Sequence, residues 1–155
     1  MAVTIAIESP LQDDVRALVA QLNDHLLPLW PLEFQFKMTV EQMDESTLTL
    51  FVARDASGRA VGMGALKEHG DGLGEVKRMY TLPEARGQRI GASLLETVER
   101  LARADGLSLL VIETGEAPGF EAAWRVYEHG GFEVCGAVLD YPDSGYSRFY
   151  EKKLS

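Results

Sequence analysis

The sequence predicts a mixed α/β domain, and three observations carry that expectation. Between residues 75 and 113 a strand, an amphipathic helix and a second, nearly all-apolar strand follow one another, the pattern of a βαβ unit with locally parallel pairing. Ahead of it, two strands joined by the turn Asp55-Ala56-Ser57-Gly58 make an antiparallel pair. No repeat, low-complexity tract or long linker interrupts the 155 residues, so all elements are expected to pack as one domain over 1–155.

Residues 3–7 alternate as a strand. Ser9 as N-cap and Pro10 at the first helical position then predict a helix whose Leu11, Val15, Leu18, Val19 and Leu22 recur at helical spacing, closed by Pro28 and Pro31. Residues 33–45 carry no clear period; a short helix capped by Thr39, placed as a flap beside a substrate site, is the expectation. Strands follow over 48–53 and 60–66, and Asp71-Gly72 turns the chain into a third over 75–81. Ile90, Leu94, Val98 and Leu101 then share one helical face, with Glu96, Glu99, Arg100 and Arg103 turned outward and Asp105-Gly106 as the stop. Residues 107–113, with Leu109-Leu110-Val111-Ile112 at their centre, read as a nearly all-apolar strand buried on both faces. A second helix carrying Ala123, Trp124 and Tyr127 ends at Gly130-Gly131, and strands over 132–134 and 146–152 flank a turn-rich stretch at 140–145.

Composition limits the function classes. Hydrophobic residues at 46% and charged residues at 25% suit a globular domain with a sizeable core. There is no apolar run long enough to span a bilayer and no secretory leader at Met1-Ala2-Val3-Thr4-Ile5, so a cytoplasmic protein away from membranes is expected. Fifteen Lys plus Arg against 24 Asp plus Glu give a net charge of −9, the wrong sign for holding a phosphate backbone, so nucleic acid is not an expected partner. Cys135 is the single cysteine, and His25, His69 and His129 are scattered, so neither a disulfide nor a metal site is expected.

The chemistry concentrates where the central strand meets the long helix, at Arg86-Gly87-Gln88-Arg89-Ile90-Gly91-Ala92. Glycines at 87 and 91 let backbone approach a ligand, the first N–H groups of the helix lack internal partners, and the helix dipole is positive there. With Arg86 and Arg89 this is an anion site suited to a pyrophosphate. Taken alone, Pro83 and Gly87 would only build a tight turn into a helix. Neither the Walker-type nor the dinucleotide glycine motif occurs, which argues against ATP and dinucleotides.

In register, residues 86–91 resemble the acyl-CoA loop of the GNAT superfamily, Arg/Gln-Xaa-Xaa-Gly-Xaa-Gly/Ala, departing from it at Arg89, where that pattern usually has Gly. Val126-Tyr127-Glu128-His129-Gly130-Gly131-Phe132 is similar to a second signature of that family, Leu-Tyr-Glu-Lys-Xaa-Gly-Phe. The N-terminal third resembles the family only in element order.

The resemblance implies a central, mostly antiparallel twisted sheet with one splayed parallel pair and flanking helices. It implies an N-acetyltransferase that uses acetyl-CoA as co-substrate and a small-molecule amine as acceptor. The backbone of Met79, Tyr80 and Thr81 should bond the pantetheine arm, and Gly87, Gln88, Arg89, Ile90, Gly91 and Ala92, with Arg86, should hold the pyrophosphate. The thioester should lie in the cleft between Thr81 and the strand that ends at Glu113. Tyr127 fits the acid that protonates the departing thiolate; otherwise it is a core tyrosine. Glu75, read as sharing a strand face with Met79, and Glu113 are the candidate bases, with a water route as the alternative and pairing to Lys77 or Arg78 as the structural reading of Glu75. Many relatives carry an Asn after the second of these strands; Thr114-Gly115-Glu116-Ala117-Pro118-Gly119-Phe120 has none. A homodimer is expected from family habit. Transfer to a protein N-terminus or lysine, and a noncatalytic acyl-CoA-binding module, are the competing readings.

Overall fold

The computed structural model describes residues 3–29 and 38–154. Among these residues seven strands form one sheet in the order β1-β2-β3-β4-β5-β7-β6. They are β1 (Thr4–Ile7), β2 (Leu48–Arg54), β3 (Ala60–Gly70), β4 (Leu73–Thr81), β5 (Leu109–Gly115), β6 (Glu133–Cys135) and β7 (Ser147–Lys153), accompanied by helices α1 (Asp13–Leu26), α2 (Val40–Met43), α3 (Ile90–Ala104) and α4 (Glu121–His129). All neighbours pair antiparallel except β4 and β5, which run parallel because α3 crosses over between them. The expected mixed sheet with one parallel pair is therefore present.

Helix α1 begins later than its N-cap signal predicts. Ser9 Oγ accepts from the Leu11 backbone N–H at 3.1 Å, which uses the hydroxyl to close a local turn, and the helix starts at Asp13 after Gln12. Leu11 is consequently exposed, whereas Val15, Leu18, Val19 and Leu22 are buried as their spacing requires. Around Thr39 the expectation holds: its hydroxyl accepts from Gln42 N–H at 3.1 Å and Gln42 Oε1 accepts from Thr39 N–H at 2.9 Å, a reciprocal capping box for α2. Pro31 and residues 33–37 lie outside the described residues. Strand β3 runs four residues beyond the predicted Leu66, to Gly70.

The two sheet faces are assigned by the glycines of β3. A Cβ at Gly62 would meet Ile90 at 3.0 Å and Leu94 at 3.3 Å, so Gly62 and Gly64 lie under α3 and their absent side chains let the helix sit close. Met63 and Ala65 therefore face the other way, where Tyr80, the partner of Met63, packs its ring 6.4 Å from His25 of α1. The layers are thus α1, sheet and α3.

Candidate active site

The site is made by a break in β4. Register runs from Met63 opposite Tyr80 to Ala65 opposite Lys77, so Arg78 and Met79 together stand against Gly64, and Arg78 takes a left-handed backbone with φ 56. A Cβ at Gly64 would stand 2.5 Å from Met79 Sδ, so glycine is what lets the bulge close. The inserted residue reverses the alternation beyond it. Glu75, Lys77 and Tyr80 consequently share the α1 face and Met79 turns to the α3 face, which corrects the reading that places Glu75 and Met79 on one face.

Beyond the bulge β4 and β5 part company. Their parallel pairing covers only Leu73 to Val76 against Leu109 to Ile112. From Lys77 to Thr81 the β5-facing edge of β4 has lost its strand partner, leaving backbone groups open to a ligand. The resulting cleft has a volume of about 1220 Å³. Glu75, Met79, Tyr80, Thr81, Arg86, Gly87, Arg89, Ile90, Gly91, Ala92, Glu113 and Tyr127 all line it, whereas Gln88 does not and is exposed.

Gly87 has φ 87, and Arg89 sits at φ 61 and ψ 25 immediately before α3. That left-handed position is the physical reason a glycine is usual there: arginine adopts it only at a cost of about 1–2 kcal/mol. The first bond of the helix is Ser93 N–H to Arg89 O at 3.0 Å, so the N–H groups of Ile90, Gly91 and Ala92 have no intrahelical partner and point out of the helix start. Arg86 is held over the loop by donating from Nε to Thr81 O at 3.3 Å. Loop, dipole and guanidinium converge as an anion cradle.

On the α1 face the carboxylates are deeply set. Glu75 is 3% exposed and is held on three sides: His69 Nε2 lies 2.9 Å from Oε1, while Tyr141 OH and Lys77 Nζ donate to Oε2 at 2.6 and 3.3 Å. Lys77 Nζ also donates to Tyr141 OH at 2.8 Å, and burial together with the Glu75 charge raises the Tyr141 phenol far above its ordinary pKa. Glu75 therefore does pair with Lys77, but inside the protein. Glu113 is the first β5 residue past the parallel pairing; Ser147 Oγ donates to its Oε2 at 2.6 Å, yet burial pushes its pKa up to about 7.

Tyr127 comes from the other face, on α4. Its ring is buried edge-on against Tyr150 and Phe132, with centroids 5.7 and 6.5 Å away. Burial first, then the charges of Glu113 and Tyr150, raises its pKa well above the ordinary phenol value, so it is fully protonated at neutral pH. Its lining of the cleft and its position in the core coexist.

The model of the acetyltransferase (GNAT) family matches residues 18–132. The chain is a GNAT-family acetyltransferase. It is 42% identical over 153 residues to the IAA acetyltransferase of Azospirillum brasilense, with 98% of both chains covered. A solved structure from Klebsiella pneumoniae described as an acyl-CoA N-acyltransferase superposes with a TM-score of 0.81 at 31% identity, covering 99% of this chain and 98% of the other. The N-acetyltransferase of Thermoplasma acidophilum, solved in complex with coenzyme A, has the same fold, with a TM-score of 0.75 at 19% identity and 99% of each chain covered. As a GNAT enzyme the chain transfers an acetyl group from acetyl-CoA, its co-substrate, to an amine.

Where many GNAT sequences keep an Asn, this chain closes the position with aromatics. Trp124 Nε1 donates to Gly115 O at 2.9 Å, and the Phe120 ring lies only 2.1 Å from where a Cβ at Gly115 would stand. Sequence reasoning missed Asn23, Arg78, Tyr141 as a partner of Glu75, and Ser147 as a partner of Glu113. No local signal marks these residues, because each comes from a different element and, Arg78 apart, acts on a cleft residue from behind it.

Proposed function

We propose that acetyl-CoA lies along the open edge of β4, with its pantetheine bonded by the backbone of Met79, Tyr80 and Thr81 and its pyrophosphate on Arg86, Gly87, Arg89, Ile90, Gly91 and Ala92. The acceptor is a small-molecule amine entering from the α1 side. The observation that carries this reading is the meeting of the unpaired β4 edge with the free N–H groups of α3 in one cleft.

Glu113 takes a proton from the acceptor ammonium; its pKa of about 7 leaves it half ionised at neutral pH, suited to that role. The neutral amine then attacks the thioester carbonyl, and the carbon–sulfur bond breaks as the tetrahedral adduct collapses. Tyr127 gives its hydroxyl proton to the departing thiolate and is restored by the second proton lost from nitrogen, while the proton on Glu113 leaves to solvent. Tyr127 is protonated at neutral pH as any phenol is, and burial raises its pKa further. Glu75, tied to Lys77, Tyr141 and His69, supports the acceptor side of the cleft, and its own service as base is the second route.

The whole chain acts as one domain in the cytoplasm, without nucleic acid, and a homodimer is the expected assembly. Among the described residues no helix is long and apolar enough to cross a membrane. The test is Gly91→Asp. A Cβ at this position meets nothing closer than 3.6 Å, so the fold tolerates it, while the added carboxylate opposes the pyrophosphate. Calorimetry should find acetyl-CoA affinity lowered by about a hundredfold or more. Unchanged affinity in the folded variant would move the cofactor elsewhere.

A further inference from the structure

Arg78 carries two costs at one position. As the bulged residue of β4 it holds a left-handed backbone, φ 56, which strains any side chain. Among the described residues its buried Nε has no hydrogen-bond partner, and its one side-chain bond is from NH2 to Asn23 Oδ1 of α1 at 2.5 Å. Among the described residues no carboxylate forms an ion pair with it, and burial lowers its pKa to about 10. A buried guanidinium without a counter-charge is strongly unfavourable unless an anion completes it. Arg78 lines the cleft, so a ligand can supply that anion.

The sheet separates this cation from the pyrophosphate cradle. The cradle opens α3, which packs over Gly62 and Gly64; Arg78 reaches instead to α1, the side where Tyr80 meets His25. Among the described residues, the other charged groups lining the cleft on that side are Glu75 and Lys77, which neutralise each other at 3.3 Å, and Glu113. An ammonium group therefore finds a carboxylate at Glu113, and an anionic group finds Arg78. A molecule that carries both satisfies the site, whereas a simple amine or a polyamine leaves Arg78 unpaired.

We propose that Arg78, oriented by Asn23, binds a carboxylate of the acceptor, so that the acceptor is a small amine of amino-acid type. This deepens the acetyl-transfer reading and rests on it. A guanidinium held in place by Asn23 is suited to a carboxylate in charge and in planar hydrogen-bonding geometry.

The experiment is thiol release from acetyl-CoA with a panel in which each amino acid is paired with its amide and its decarboxylated amine. The free amino acids should be the better acceptors by about thirtyfold or more in kcat/KM. Arg78→Met should abolish that preference, raising KM for the carboxylate acceptor by a similar factor while acetyl-CoA affinity by calorimetry stays within about twofold. Asn23→Asp, which offers Arg78 an internal carboxylate and changes no backbone constraint, should weaken the preference in the same direction if Arg78→Met fails to fold. Equal or better rates with the amides or decarboxylated amines would overturn the proposal and leave acetyl transfer standing. Loss of acetyl-CoA binding in Arg78→Met would assign the residue to the cofactor. Absence of thiol release with every amine would remove the acetyl-transfer reading itself.

Discussion

On the α3 side of the cleft the groups proposed to hold acetyl-CoA are mostly backbone, from one continuous stretch between Met79 and Ala92 with the Arg86 guanidinium beside it, whereas the α1 side is built of side chains drawn from α1, β3, β4, β5, β7 and the loop at Tyr141. The first half uses a positive helix end and left-handed loop residues that any acyl-CoA can meet. The second half uses buried, mutually bonded charges whose arrangement depends on the tertiary packing of this chain. In the proposed reading shared chemistry is held mostly by backbone and particular chemistry by side chains, a division that would allow one fold to keep its co-substrate while changing its acceptor.

The largest loss is expected at Tyr127, where the two halves meet. Tyr127→Phe keeps the ring that packs against Tyr150 and Phe132 and removes only the proton donor. Turnover should fall by about a hundredfold or more while acetyl-CoA affinity and the thermal midpoint stay near wild type. Wild-type turnover would return Tyr127 to the core alone.

Glu113→Gln should produce a smaller loss, about tenfold or more above neutral pH, because water can replace a base more readily than an acid held in the core. The informative readout is pH. In the wild type the rate should climb through pH about 7 as Glu113 ionises, and in Gln that limb should vanish. Stability gives an independent check of sign. A carboxyl whose folded pKa is raised binds more protons folded than unfolded, so its contribution is present at low pH and lost as pH rises from the ordinary carboxylate range through about 7. Glu113→Gln should therefore be more stable than wild type at pH 8 and converge with it near pH 4, measured by denaturant titration.

The same division decides what could be read from the sequence. The loop at residues 86–92 and the helix after it were legible because their residues are neighbours in the chain and their geometry is local: Gly87 at φ 87 and the periodic face of α3 are both written in order. Strands and turns followed for the same reason, with a miss at Ser9, whose hydroxyl closes a turn instead of capping α1. The bulge at Arg78 left no local mark. It depends on Gly64 across the ladder making room for Met79, and it alone moves Met79 off the face of Glu75. Asn23 with Arg78 and Ser147 with Glu113 join residues 55 and 34 positions apart, separations that no periodicity reports.

Arg89→Gly should have the smallest effect. Glycine relieves the left-handed strain at φ 61 but adds freedom to the unfolded chain, for a net gain of about 0.5–1 kcal/mol by thermal melting. Acetyl-CoA affinity should fall only a few-fold, since the exposed guanidinium is lost but the N–H groups remain. A large loss of affinity would mean that the side chain, and not the backbone, holds the pyrophosphate.

Titrating acetyl-CoA into isotopically labelled protein and following backbone amide shifts will show whether acetyl-CoA is held by backbone on the α3 side and leaves the α1 side for the acceptor. The largest changes should fall on Met79, Tyr80 and Thr81 and on Gly87, Arg89, Ile90, Gly91 and Ala92, with Asn23 and His69 little moved. Shifts concentrated at Asn23, His69 and the surrounding α1 face, with the amides of residues 87–92 unmoved, would contradict it.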